Sequence, residues 1–271
     1  MNKLLTAALA IMIALPASLS AKSFTRVLEV KGNISAINSS GNIEVEYTPA
    51  AKVSAVIKVE YKEDIANVTS SLKGGVLSLS TKGKTKGEIT VKLSAPGINN
   101  LDASGNSTIE VEGSLSGRDV DLRSSGNAGI KIEQNINAPK VTINTGGNSS
   151  VKVSGTLLSP SVFVNTDQNS VAKIAVLDTD NLDVKTEGNS SFKSKQIKAG
   201  AVKATSTNNS VLTLAGRAGT VSYTSKDNSI LKAGSLQANG GMAEADGNSQ
   251  LYSNINGLQP TSRGNAVLRN K

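Results

Sequence analysis

The feature that most limits how this chain can fold is the triplet Gly105-Asn106-Ser107, whose near-copies recur toward the C-terminus at an almost constant interval. Asn106, Asn127, Asn148, Asn169, Asn189, Asn209, Asn228, Asn248 and Asn265 follow one another at steps of 21, 21, 21, 20, 20, 19, 20 and 17 residues. The residue before each is mostly Gly, Asn or Asp, types that tolerate a left-handed backbone. The residue after is Ser or Ala every time, so a small side chain is required there. Three positions beyond each Asn the column reads Ile109, Ile130, Val151, Ala172, Phe192, Leu212, Leu231, Leu251 and Leu268. Five beyond, it opens with Val111, Ile132, Val153 and Ile174 and loses its apolar character toward the end. Glu110, Lys131, Lys152, Lys173 and Lys193 lie between the two columns. That alternation is the two-residue period of a strand with one buried face.

A second alternating run follows in each repeat, at Val120/Leu122, Val141/Ile143, Val162/Val164, Leu182/Val184 and Val202/Ala204. A lone apolar residue separates the two runs: Leu115, Ile136, Leu157, Leu177, Ile197. Strands this short cannot bury a face alone, so equivalent residues must stack from repeat to repeat. The predicted fold is therefore all-β: a right-handed parallel β-helix, or single-stranded β-solenoid, with about 20 residues per coil. At about 4.8 Å per coil the repeats would form a rod about 40 Å long.

Residues 1–21 have the form of a secretory signal peptide. Asn2-Lys3 is the positive end, Leu4 to Leu15 the apolar stretch, and Pro16 to Ala21 the small-residue cleavage zone. The apolar part is too short to span a bilayer, and no other segment is long enough. Export to a periplasm, or onward to the cell surface or medium, is expected. The chain has no Cys, so neither a lipobox anchor nor a disulfide is expected. Residues 22–96 have longer strand-like runs, such as Ile43 to Tyr47, Val53 to Val59 and Ile89 to Leu93, with an echo of the repeat at Gly41-Asn42. This segment is expected to form an N-terminal β cap and first coils. The repeats then occupy 97–271 as one continuous domain with the cap.

Taken together, the exported start, the strand-rich opening through Ile89-Thr90-Val91-Lys92-Leu93-Ser94-Ala95-Pro96, the stretch Ile98-Asn99-Asn100-Leu101-Asp102-Ala103-Ser104-Gly105-Asn106 and the Gly-Asn-Ser ladder carry a resemblance. The chain resembles the autotransporter adhesin, head GIN domain family over nearly all of its mature length. The resemblance implies a right-handed parallel β-helix on an exported protein, with adhesion as its role, and brings no catalytic residues with it. The sequence closes on Arg269-Asn270-Lys271 without a run of membrane-barrel strands, so self-secretion through such a barrel is not expected.

Composition narrows the function further. With no His and no Cys, imidazole bases, thiol nucleophiles and the usual transition-metal ligands are missing, and no cofactor or metal is expected. The acidic candidates for a polysaccharide-cleaving site are Asp119 and Asp121 beside Arg118 and Arg123, and Asp178, Asp180 and Asp183 with Lys185. Solvated surface charge is the plainer reading of them. The formal net charge is +8, carried mainly by lysines at outward strand positions. Such lysines keep strand surfaces soluble; the competing reading is a basic face for an acidic polysaccharide or lipopolysaccharide. Nucleic acid is not an expected partner, because aromatic residues make up 3% of the chain and no basic cluster carries stacking residues. The Asn row, Asn106 through Asn248, is expected to be a structural ladder of stacked amides satisfying buried polar groups, against a ligand-binding row. A column three residues earlier, Ser124, Thr145, Thr166, Thr186, Ser206 and Ser225, is expected to pack at the corner; an ice-binding plane is the competing idea. The function expected is that of a non-enzymatic adhesin or envelope-binding protein presenting an extended face to a glycan or a host or envelope protein. Two alternatives stand beside it, a polysaccharide lyase or hydrolase on the same fold and an envelope scaffold that self-associates into an oligomer.

Overall fold

A computed structural model describes residues 23–271; the signal peptide expected over 1–21 lies outside the described residues. Each repeat turns at its Asn and then lays down three short faces. In the coil that starts at Asn106 these are Thr108–Val111 on the first face, Leu115–Ser116 on the second and Val120–Ser124 on the third. The next coil stacks on it parallel and in register, Ile130 on Ile109, Ile136 on Leu115 and Val141 on Val120. Farther along, the corners between faces also become extended, and single strands such as Val171–Thr186 and Ser191–Ser206 wrap all three faces. The repeats therefore form a parallel β-solenoid. Its interior consists of the apolar columns read from the sequence: Ile109, Ile130, Ile143, Leu157, Val164, Leu177, Leu212 and Leu231 are all fully buried. Full burial of each such side chain contributes about 1.5–3 kcal/mol.

The N-terminal segment is arranged differently from its order in the chain. It comprises β1 (Phe24–Val27), β2 (Ala36–Gly41), β3 (Glu44–Pro49), β4 (Ser54–Val59), a one-turn helix α1 (Asp64–Asn67), β5 (Val68–Lys73), β6 (Val76–Thr81) and β7 (Ile89–Ala95). The strands β2 and β3 form a coil that is sandwiched, parallel, between β6 and β7 on one side and Asn100–Gly105 and Thr108–Val111 on the other. Chain residues 36–49 therefore lie above residues 76–95, which come later in sequence. The end of the stack is closed by antiparallel strands, β5 against β6, and β4 against β7 with β1 beyond it. Two buried groups hold this part together. Tyr47, fully buried, donates its hydroxyl to Ala95 O at 3.1 Å and accepts from Ile98 N at 3.3 Å. Asp64, also buried, accepts from Lys86 N and Gly87 N, and so fixes the loop between β6 and β7.

Candidate functional site on the third face

The Asn corner has to be settled first, because it runs the length of the repeats. The Asn side chains do hydrogen-bond from coil to coil, Nδ2 to Oδ1, from Asn127 to Asn106 at 3.0 Å, Asn148 to Asn127 at 3.1 Å, Asn169 to Asn148 at 3.1 Å and Asn189 to Asn169 at 3.2 Å. A second run links Asn209, Asn228, Asn248 and Asn265. All of these side chains are exposed. The buried polar groups expected at the corner belong instead to the residue that follows. Ser170 Oγ donates to Thr145 O of the coil below at 3.1 Å and accepts from Asp167 N of its own turn at 3.1 Å. Ser149, Ser190 and Ser249 repeat both bonds, and Ser210 and Ser229 repeat the first. The hydroxyl column suggested as an ice-binding plane is buried against these serines: Thr166 Oγ1 lies 3.1 Å from Ser190 Oγ, and Thr186 Oγ1 3.1 Å from Ser210 Oγ. A buried row offers no plane to a ligand.

The acidic candidates are separated by the winding. Asp121 stacks between Asn100 and Thr142 on the third face and accepts from Arg123 Nη2 at 2.6 Å. Asp102, beside Arg123 on the coil below, is held above its ordinary range by burial, with Arg123 opposing the shift. Asp119 is exposed at the corner before Val120. Asp178 is on the second face three coils later, stacked between Leu158 and Lys198, whose Nζ is 3.0 Å away. Asp180 is exposed at the next corner. Three coil steps amount to about 14 Å, so Asp119 and Asp121 do not share a site with Asp178 and Asp180. Among the described residues no group of three or more acids gathers at a metal-holding distance.

The third face carries a trough instead, with a volume of about 790 Å³. It crosses six coils, from Lys140 and Thr142 at one end to Gly241 and Met242 at the other, which corresponds to about 24 Å along the axis. Two large apolar side chains line it, Phe163 at 36% exposure and Met242 at 60%. Both stand where the alternation calls for a polar residue. The register explains their position: Thr142, Phe163 and Asp183 stack in one outward column, which continues through Lys203, Ser222 and Met242. Ala201 and Gly241 are small residues of the trough's lining. Asp183 and Lys203 sit at its centre, 3.6 Å apart. The trough thus combines an aromatic face, a thioether, amide and hydroxyl groups, and one charge pair on a rigid backbone. Sequence reasoning missed Phe163 and Met242. The available signal was their size at positions outward of the buried columns.

The fold defines a class, the parallel β-solenoids, here with a trough along the third face. The family profile described as "Putative auto-transporter adhesin, head GIN domain" matches residues 33–173, and the chain belongs to that family. Solved structures share the fold. A "putative adhesin" from Parabacteroides distasonis superposes with a TM-score of 0.68 at 16% identity, covering 93% of this chain and 98% of that one. A "putative lipid binding protein" from the same organism gives 0.65 at 13%, over 93% and 98%. A "putative adhesin" from Parabacteroides merdae gives 0.64 at 16%, over 93% and 97%. The curated proteins contain no match.

Proposed function

We propose that this chain is an exported, non-enzymatic binding protein of the adhesin type that holds an extended glycan along the trough of its third face. The observation that carries the reading is the trough itself, which is open along its length and crosses six coils. An elongated, shallow site spreads weak contacts over many units of a polymer, which suits adhesion, whereas catalysis needs reactive groups converging on one bond. A sugar ring has both an apolar face and a hydroxyl rim. Phe163 can pack against the first, as aromatic rings do in recognition, and Asn181, Asp183, Lys203 and Ser222 can hydrogen-bond the second. An acyl chain fits less well, because it would strip water from the Asp183–Lys203 pair without replacing the lost hydrogen bonds. Export is supported by the adhesin family and by the character of residues 1–21; no helix of the described residues is long and apolar enough to cross a membrane.

The test is a glycan array probed with the full chain and with F163A/M242A. Binding to an oligosaccharide without release of reducing ends, reduced about tenfold or more in the double variant, is the expected result. Binding that is indifferent to both substitutions, or turnover of the bound glycan, would refute the reading.

A further inference from the structure

The first face holds a second feature that the trough does not use. Its central outward column begins with Lys92, Glu46, Glu110 and Lys131, in which each lysine has an acid next to it: Lys92 pairs with Glu46 at 2.6 Å and Lys131 with Glu110 at 3.4 Å. Beyond that point lysine is stacked directly on lysine, Lys131 on Lys152, Lys152 on Lys173 and Lys173 on Lys193. All four are exposed, and among the described residues Lys152, Lys173 and Lys193 enter no ion pair. Other lysines of the stack have an acid directly next to them. Lys198 stacks on Asp178 on the second face and Lys203 on Asp183 on the third, each within salt-bridge distance. Like charges opposite one another on adjacent strands are destabilising. The uncompensated run of three, Lys152, Lys173 and Lys193, therefore raises the local potential along a line parallel to the axis, with one positive charge about every 4.8 Å.

We propose that this row binds a linear acidic polysaccharide lying along the axis of the solenoid, one anionic group to a coil. A sugar unit advances its chain by a distance comparable with the spacing of the coils, so successive carboxylate or sulfate groups can meet successive lysines. Hydroxyl groups of Ser150 and Ser191, on the adjacent outward column, stand beside the row for neutral contacts. Nucleic acid is disfavoured because no aromatic side chain lies between these lysines for a base to stack on. A lipid surface is disfavoured because the exposed large apolar side chains nearest in the stack, Leu158, Phe163 and Met242, are on the second and third faces, and the column beside the row places only the half-buried Val171 between Ser150 and Ser191, too little to insert.

The experiment measures binding of the full chain to polygalacturonate, which carries carboxylates, to dextran sulfate, which carries sulfates, and to neutral dextran. It compares K152S/K173S/K193S with K185S/K198S/K226S, a variant of equal charge change built from lysines that are already ion-paired. The expected result is binding to at least one acidic polymer and not to dextran, weakened about tenfold or more in the first variant and less than about threefold in the second. The salt dependence of the first variant should also be shallower, by about three units of log–log slope. Its melting temperature should not fall, since repulsion is removed. Equal weakening in both variants would show a mere net-charge effect and overturn the proposal. So would failure to bind either acidic polymer, or binding confined to vesicles of phosphatidylglycerol and phosphatidylcholine.

Discussion

Ser170 illustrates what the corner demands of a single residue. Its hydroxyl serves two backbone groups in two coils from a fully buried position. Ser170→Ala leaves the buried Thr145 hydroxyl, 2.9 Å from Ser170 Oγ, without a partner, while Asp167 N keeps its bond to Thr145 O, and is expected to lower stability by about 1–3 kcal/mol. Asn148→Ala removes exposed amide bonds to Asn127 and Asn169; water can replace them, so the loss is expected to be about 1 kcal/mol or less. Denaturant melts of the two variants check the order, and a larger loss for the Asn variant would show that the exposed ladder is the principal support. Gly147, at φ 74°, has a different constraint, because a Cβ there would lie 2.8 Å from Gly126 O. Gly147→Ala should destabilise by at least about 1–2 kcal/mol in the same assay. One titrating residue gives a pH signature. Burial first, then Glu88 and the carboxylates of Glu46 and Glu110, hold Glu44 above its ordinary range. A carboxyl whose folded pKa is raised contributes stability below its unfolded pKa and loses that contribution as pH rises through the folded value. Glu44→Gln should thus raise the melting temperature at neutral pH and leave it unchanged in acid. The Asn spacing was plain in the sequence. The importance of the following Ser was not, because Ala128 and Ala266 occupy the same column and made small size look like the whole requirement.

At the scale of elements, the stacking from Asn106 onward was legible because each strand pairs with the chain segment about 20 residues away and repeats its pattern. The order of the first coils was not. Placing β2 and β3 between β6–β7 and the later repeats depends on pairings between distant segments, and Gly41-Asn42 was their one local trace. Tyr47 is the pin of that arrangement, since its hydroxyl bridges the last residue of β7 and the junction at Ile98. Tyr47→Phe keeps the ring but leaves Ile98 N without its partner, while Ala95 O still accepts from Ala50 N. It should cost about 1–3 kcal/mol, read in melts and in faster amide exchange at Ile98. Unchanged exchange there would mean that packing of the ring alone secures the inserted coil. The trough escaped sequence reading for a related reason: Phe163, Asp183, Lys203 and Met242 are gathered from four different coils and form no motif along the chain.

The whole molecule is a stack in which each coil touches only its neighbours, so its faces behave as rulers whose marks are the coil spacing. That geometry separates this account from one based on a single compact pocket. Each added unit of a ligand should find a further coil until the six coils of the trough are occupied. The most direct measurement is calorimetric titration of the full chain with a size-graded series of the oligosaccharide selected on the array. Affinity that climbs with length and levels off once the ligand spans about 24 Å is the predicted outcome. A monosaccharide or disaccharide that binds as tightly as the longest member would contradict it.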